Sequence, residues 1–323
     1  MAEHQRVDAV VMVDPAPVHA LAALFDDGLP APGPGDPLPP LWHWAALASW
    51  APGRSTGPDG HPRVGEFLPD VGKPRRMFAG GRVALHRPLV VGTQVRRTDE
   101  VVSVTPKSGR QGDFVLVEVR TTIEDASGRL ALEERQDLVY RDQAVPQSVA
   151  ATPSKAAQHE AIPVAPALLA RGEDDVWRFS TDPTKLMRFS AATSNGHRIH
   201  YDLDYATQVE CYPGLVVHGP LMSITLAEVL RREGTPVTAL DHRGLRPLFC
   251  GARAEVRRRA EPDGRLTLAV TTTAGDHSTL TAGRTAGSGC RDGNADSNGG
   301  DARHQARSSR AVTESTSTGA GLG

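Results

Sequence analysis

Arg87-Pro88-Leu89-Val90-Val91-Gly92 recurs in the second half of the chain as Arg246-Pro247-Leu248-Phe249-Cys250-Gly251, and each copy opens a run of strand-like sequence. Six residues with a shared Arg-Pro-Leu can arise by chance in a chain rich in Arg and Pro. Their position at matching points of matching element orders favours duplication, two copies of one design. Beyond the first copy the hydrophobic period is two. Val115, Val117, Val119, Thr121 and Ile123 alternate with Phe114, Leu116, Glu118, Arg120 and Thr122, the pattern of a half-buried strand. Residues 83–91, 93–104 and 130–140 read as further strands, with turns at Lys107-Ser108-Gly109 and Ser127-Gly128. The first half therefore ends in an antiparallel meander.

Working outward, residues 7–26 place apolar side chains at helical spacing, Ala20, Leu21, Leu24 and Phe25 among them. The proline-rich stretch Pro30 to Pro40 excludes helix and central strand. Leu41 to Ala48 has helical character, and residues 51–75 are rich in turns, with Gly57-Pro58-Asp59-Gly60 as a clear cluster. The second half opens with helical sequence, followed by strand-like Trp177 to Phe179, a helix over Thr184 to Ala192, a polar loop from Thr193 to Asp202 and a short helix over Leu203 to Glu210. Leu221, Ile224, Leu226, Val229 and Leu230 make the longest apolar helical stripe, and three strands follow near 246–258, 265–273 and 278–285.

A chain of 323 residues suits two cores better than one, because single cores stop growing near ~250–300 residues. The division expected is a first domain over 1–145, an Ala/Pro/Gln/Ser-rich linker over 146–165, a second domain over 166–285 and a tail over 286–323. In the tail only Val312 and Leu322 are large aliphatics. So little apolar surface cannot offset an ordering cost of ~1–2 kcal/mol per residue, and disorder is expected there. The net charge of −2 and 39% hydrophobic residues argue against bulk attraction to nucleic acid or an anionic membrane, and for a small-molecule partner. Cys211, Cys250 and Cys290 fit neither a disulfide framework nor a zinc motif, and the first two read as core residues. No signal peptide and no apolar run of ~20 residues is visible, so a cytoplasmic location is expected.

Polar chemistry is densest at Ser194-Asn195-Gly196-His197-Arg198-Ile199-His200-Tyr201-Asp202, and Val216-Val217-His218-Gly219-Pro220 then opens the long apolar helix. Gly219 leaves the backbone N–H open at a helix N-terminus, where unpaired donors and the helix dipole favour a partial negative charge such as an enolate oxygen. His200 titrates in the range needed to move a water proton. Asp202 reads as a helix N-cap. Arg198 reads equally as a solvated loop residue or a grip for a phosphate or carboxylate. His197, His200 and His218 match no zinc spacing, so no metal is expected. Trp42, Trp44 and Trp50 read as packing residues, with one as a candidate wall of a binding pocket.

Arg188-Phe189-Ser190, the run Asn195 to Asp202, and Tyr212-Pro213-Gly214-Leu215-Val216-Val217-His218-Gly219-Pro220-Leu221 resemble the MaoC-like hydratases and dehydratases. Within these they are similar to the mesaconyl-CoA hydratase and hydroxyacyl-thioester dehydratase type 2 branch. Pro39-Pro40-Leu41-Trp42-His43-Trp44, Arg75-Arg76-Met77-Phe78-Ala79-Gly80-Gly81 and His86-Arg87-Pro88-Leu89 carry the same resemblance into the first half. It implies an α+β double hot dog, two curled antiparallel sheets each around a central helix, with a degenerate first unit and catalysis in the second. It implies reversible hydration of an α,β-unsaturated acyl thioester. Asn195, His200 and Gly219 are the expected catalytic residues, and Arg198, Tyr201 and His218 are expected to bind substrate. Asn195 departs from the Asp usual in the wider family. An amide cannot exchange a proton as a carboxylate does, so Asn195 is expected to hold water while His200 handles the proton.

No cofactor is implied beyond the coenzyme A or carrier thioester of the substrate itself. Enoyl-CoA hydration, with a short branched or dicarboxylic acyl group as a candidate, is the leading reading. The alternatives are a 3-hydroxyacyl-carrier-protein dehydratase, with Arg75, Arg76 and Arg82 as a basic docking surface, and a non-catalytic acyl-thioester-binding subunit. Monomer and homodimer are both open, since two fused units can supply each other's sheet pairing.

Overall fold

A computed structural model describes residues 5–109, 112–143, 166–172, 176–262 and 265–283. The expected linker over 146–165, the tail over 286–323 and Cys290 lie outside the described residues. In the first half β1 (Arg6–Met12) leads to helices α1 (Pro15–Phe25) and α2 (His43–Ala46), then β2 (Arg75–Leu85), β3 (Gln94–Gly109), β4 (Gly112–Glu124) and β5 (Leu130–Arg141). In the second, β6 (Leu169–Arg171) and β7 (Trp177–Phe179) precede α3 (Pro183–Ala192) and α4 (Gly219–Arg232). Strands β8 (Ala239–Gly244), β9 (Ala254–Ala260), β10 (Leu266–Thr272) and β11 (Gly275–Gly283) follow.

The eleven strands among the described residues form one antiparallel sheet in the order β1-β3-β4-β5-β2-β8-β11-β10-β9-β7-β6. Counted from β1 and from β7, both halves have the order first, third, fourth, fifth, second, and they meet where β2 pairs β8. That is the double hot dog the duplicated motif anticipates. The motif itself is not strand. Each copy is the turn between the second and third strands of its half, because Pro88 and Pro247 have no N–H to give a ladder. Gly92 and Gly251 adopt matching left-handed φ values of 82° and 80°, which glycine meets without steric cost. The expected strand at 83–91 is therefore corrected to β2, which ends at Leu85, and that at 246–258 to β9.

Each turn clasps the segment that enters the helical region of its half. Leu38 N–H donates to Leu89 O and Val91 N–H to Asp36 O, while Val217 N–H donates to Leu248 O and Cys250 N–H to Leu215 O. The two clasps put Leu38 and Val217 in register, and two residues on they align Pro40 with Gly219. After Gly219 the chain continues as the fourteen-residue α4, whose residues from Leu221 to Leu230 are all buried. After Pro40 only the four-residue α2 forms. The loop over 66–71 compensates, because Phe67, Leu68 and Val71 pack on Val101, Val115, Val117, Val119, Leu138 and Tyr140 of the sheet.

Two further expectations change. The helical pattern over 7–26 splits into β1 and α1 at Asp14, whose carboxylate caps Ala16 N–H ahead of Pro15. The opening of the second half is the short strand β6 rather than helix. Cys250 packs half-buried against the core, and Cys211 is a half-buried turn residue at φ 57° rather than a core residue. Among the described residues no helix is long and apolar enough to cross a membrane.

Candidate active site

The loop between α3 and α4 is anchored at both ends. Asn195 N–H donates to Ser190 O at the end of α3, and Val216 N–H donates to Ile199 O. A 3-10 turn over Arg198–His200 aims His200 inward, where it is 6% exposed. Its Nδ1 lies 2.7 Å from Val216 O. A carbonyl only accepts, so Nδ1 carries the proton and Nε2 keeps its lone pair. Burial, partly offset by the Val216 bond, pushes the His200 pKa down to about 3. At neutral pH His200 is thus an unprotonated imidazole with Nε2 as its basic atom.

His200 stacks on His218 at 3.6 Å between ring centroids and 19° between planes. His218 is fully buried, with Nε2 2.8 Å from Ser190 Oγ and its Nδ1 without a partner among the described residues. It is the N-cap residue of α4 but supplies no side-chain acceptor to the first turn. The leading N–H groups of α4 are therefore not capped by that side chain, and they lie in the field of the helix dipole. Gly219 is first among them, and the ring of Phe78 from β2 lies against it. A Cβ at Gly219 would stand 2.6 Å from Phe78 Cδ1.

A cavity of about 350 Å³ opens beside this arrangement. The second half contributes Asn195, Phe189 and Pro220 to its wall, and the first half contributes His43, Trp44, Arg97, Thr121, Glu134 and Gln136. Among the described residues the wall contains Asn195 and the α4 N-terminus at Pro220, but neither His200 nor Gly219. The Asn195 Oδ1 accepts from His197 N–H at 3.0 Å, which ties it to the loop that carries His200. Of the three tryptophans, Trp44 reaches this wall, Trp42 is core at 1% exposed, and Trp50 is 59% exposed.

The residues expected to bind substrate have internal partners. Arg198 pairs with Asp202 at 2.7 Å, donates to Pro58 O and lies over the Tyr205 ring. Tyr201 donates to Gly196 O, and His218 is sealed. Asp202 accepts from Tyr205 N–H at 3.0 Å, the local capping role expected of it.

Sequence reasoning missed two groups. Glu134, buried in the first half, accepts from Trp44 Nε1 at 2.8 Å and lies 3.1 Å from His43 Nε2. Asp59 and His61 belong to a segment that reads only as a turn cluster, yet the His61 ring lies 4.0 Å from the His197 ring. The glycines and proline around Asp59 were the available signal, since they mark a tight turn without showing what it docks against. Asp59, His61 and His197 each offer a ligand atom within 4.8 Å of the others. However, Asp59 Oδ2 and His61 Nδ1 already bond each other at 3.0 Å. Two imidazoles on one tetrahedral zinc ion also hold their centroids about 5 Å apart. The set has the geometry of a hydrogen-bonded pair stacked on a third ring.

These histidines make the fold acid-sensitive. Burial lowers the pKa of His61, His197, His200, His218 and His242. An unfolded chain binds protons at these positions from about pH 6.5 downward, while the folded chain refuses them until much lower pH. Stability from this source is complete above pH 6.5 and is lost as pH falls toward the folded values, by up to ~1.4 kcal/mol per pH unit for each histidine. Thermal unfolding followed by circular dichroism is expected to show Tm falling steeply between pH 6.5 and 4.5. A flat Tm over that interval contradicts buried neutral histidines.

Residues 41–250 match the hydroxyacyl-thioester dehydratase type 2 family. The chain is 40% identical over 248 residues to the mesaconyl-C(4)-CoA hydratase of Chloroflexus aurantiacus, covering 76% of this chain and 82% of that protein. It is 26% identical over 221 residues to the mitochondrial hydroxyacyl-thioester dehydratase type 2 of Schizosaccharomyces pombe, covering 60% and 67%. A MaoC-like dehydratase from Phytophthora capsici shares the fold with a TM-score of 0.57 at 16% identity, over 88% of this chain and 97% of that one. The resemblance read from the sequence holds, as do the double hot dog and the hydro-lyase class. The chain belongs to the hydroxyacyl-thioester dehydratase type 2 family of MaoC-like enzymes, which hydrate and dehydrate acyl thioesters.

Proposed function

We propose that the chain hydrates the double bond of a short 2-enoyl-CoA, with His200 as base, Asn195 as water holder and the Gly219 N–H as oxyanion donor. The observation that carries this is the Nδ1–H bond of His200 to Val216 O. It leaves Nε2 basic on a ring stacked against the residue that opens α4. Water oxygen bonds to Cβ and its proton passes to Nε2. The π electrons move to the thioester oxygen, which the α4 N-terminus stabilises as an enolate. Cα then takes that proton back from Nε2, the imidazole returns to its neutral form and the enolate collapses to the thioester. Run backward, the same steps dehydrate a 3-hydroxyacyl thioester.

The relative from Chloroflexus aurantiacus makes mesaconyl-C4-CoA the first substrate to assay. A carrier-protein surface has less support. Arg75 is held by Glu210 at 2.6 Å and by the Tyr212 hydroxyl, and Arg82 by Asp241 at 2.6 Å. Purified protein is expected to hydrate mesaconyl-C4-CoA or crotonyl-CoA, read as loss of enoyl absorbance, and to act more slowly on crotonyl-carrier protein. No turnover of any of the three refutes the reading. In the same assay Asn195→Asp is expected to stay active and to gain an acid limb. A carboxylate holds water in its ionised form, so activity falls as pH drops through its pKa. A pH profile identical to wild type excludes contact between residue 195 and the reacting water.

A further inference from the structure

The turn Gly57-Pro58-Asp59-Gly60-His61 belongs to the first half but docks on the loop that carries Asn195 and His200. Gly60 sits at φ +89°, and a Cβ there would lie 1.8 Å from Gly196 O; a Cβ at Gly196 would lie 2.5 Å from Gly60 O. Two bare backbones touch where no side chain fits. Arg198 N–H donates to Asp59 O at 2.9 Å, and Arg198 Nη1 donates to Pro58 O at 3.1 Å. Asp59 then turns its carboxylate onto His61, with Oδ1 accepting from the backbone N–H at 3.1 Å and Oδ2 facing Nδ1 at 3.0 Å.

From His61 a column of imidazoles runs into the site. His61 lies on His197 at 4.0 Å, the His197 and His200 rings meet edge to face at 5.5 Å, and His200 stacks on His218 at 3.6 Å. A base at His200 must become an imidazolium at the moment water adds, inside this dry stack. The nearby charges do not all help. Arg76 acts on His61 and His197 as a like charge, a proton on His61 opposes one on His200, Arg198 is matched by Asp202, and Asp59 favours a proton on His197. Asp59 is the carboxylate bonded into the column. Burial alone would raise its pKa, but its bonds with His61 hold it at about 2. At neutral pH an ionised Asp59 faces a neutral His61, because burial disfavours the His61 cation. Residue 195, on the same loop, is an uncharged amide and brings no counter-charge.

We propose that Asp59, acting through His61 and His197, is a positioning and counter-charge residue for His200, supplying from the first half a negative charge that the Asn195 amide does not provide. Asp59 fixes the His61 tautomer as a buried carboxylate fixes an imidazole in hydrolase triads. It offsets the cation that forms on His200 without taking the proton, which stays on Nε2 until it is returned. The inference rests on the hydratase reading, so wild-type turnover of an enoyl-CoA is measured first. Absence of that turnover removes reading and proposal together, whereas turnover indifferent to Asp59 removes the proposal alone.

The experiment uses the full chain and the thioester that wild type turns over. Asp59→Asn is expected to lower kcat by ~10–100-fold, with KM within about threefold and Tm within a few degrees of wild type. In Asp59→Ala, formate is expected to restore part of kcat where chloride at equal ionic strength does not, because formate returns a carboxylate to the gap. His61→Gln leaves Asp59 and the backbone contacts in place and is expected to lose kcat without a KM change, which covers the case of an Asp59 variant that fails to fold. Asp59→Asn or His61→Gln with kcat within twofold of wild type overturns the proposal. So does a loss in folded Asp59→Ala that formate leaves untouched.

Discussion

His200→Ala is expected to lower kcat by ~10²–10⁴-fold per folded molecule, the contribution typical of a positioned proton-transfer group. The substitution also has a structural cost. Val216 O loses its donor, a buried carbonyl left unpaired at ~1–3 kcal/mol, and the His218 ring loses its stacking partner. Turnover must therefore be divided by the folded fraction, taken from thermal unfolding in the assay buffer. Normal specific activity in folded His200→Ala defeats the catalytic assignment as a whole. His200→Gln sharpens the test, because its amide can still donate to Val216 O but cannot act as a base near neutral pH. It is expected to regain stability without regaining turnover.

Gly219→Val is expected to lower kcat by ~10²–10³-fold, as loss of one oxyanion donor does, with a smaller change in KM. The physical cause is specific. A side chain at 219 meets the ring of Phe78, and that ring has little freedom, since it stacks on His242 at 5.2 Å and 3° and meets Trp44 edge-on at 5.9 Å. Either the ring or the start of α4 must move, and both displace the first N–H of the helix from the reacting oxygen. A folded near-UV circular dichroism spectrum with near-normal kcat removes Gly219 from the mechanism. The first half shows the same loss built in. Pro40 occupies the clasped position equivalent to Gly219, and proline has no N–H to offer an oxyanion. Under the proposed mechanism that difference leaves the oxyanion donor to the second half.

Much of this was legible in the residues alone. The period-two runs of β4 and β5, the apolar stripe of α4 and the repeated Arg-Pro-Leu turn are local patterns, and they were enough to expect two copies of one unit. The loop from Asn195 to His200 stood out because its polar residues lie together in sequence. The seam strand β8 did not stand out. Asp241 and Arg243 make Ala239–Gly244 look like a polar turn, and only pairing with β2 on one side and β11 on the other makes it a strand. Glu134 read as one charge in a meander, because its buried partners His43 and Trp44 are distant in sequence. Asp59 and His61 read as turn residues for the same reason. Sequence by itself determined the duplicated design and singled out the loop from Asn195 to His200 and the opening of α4, since each depends on neighbours along the chain. Tertiary structure alone decided which first-half side chains wall the cavity and reach the imidazole column. Those contacts form only when two sheets join edge to edge at β2 and β8, and no periodicity within either segment encodes that distance.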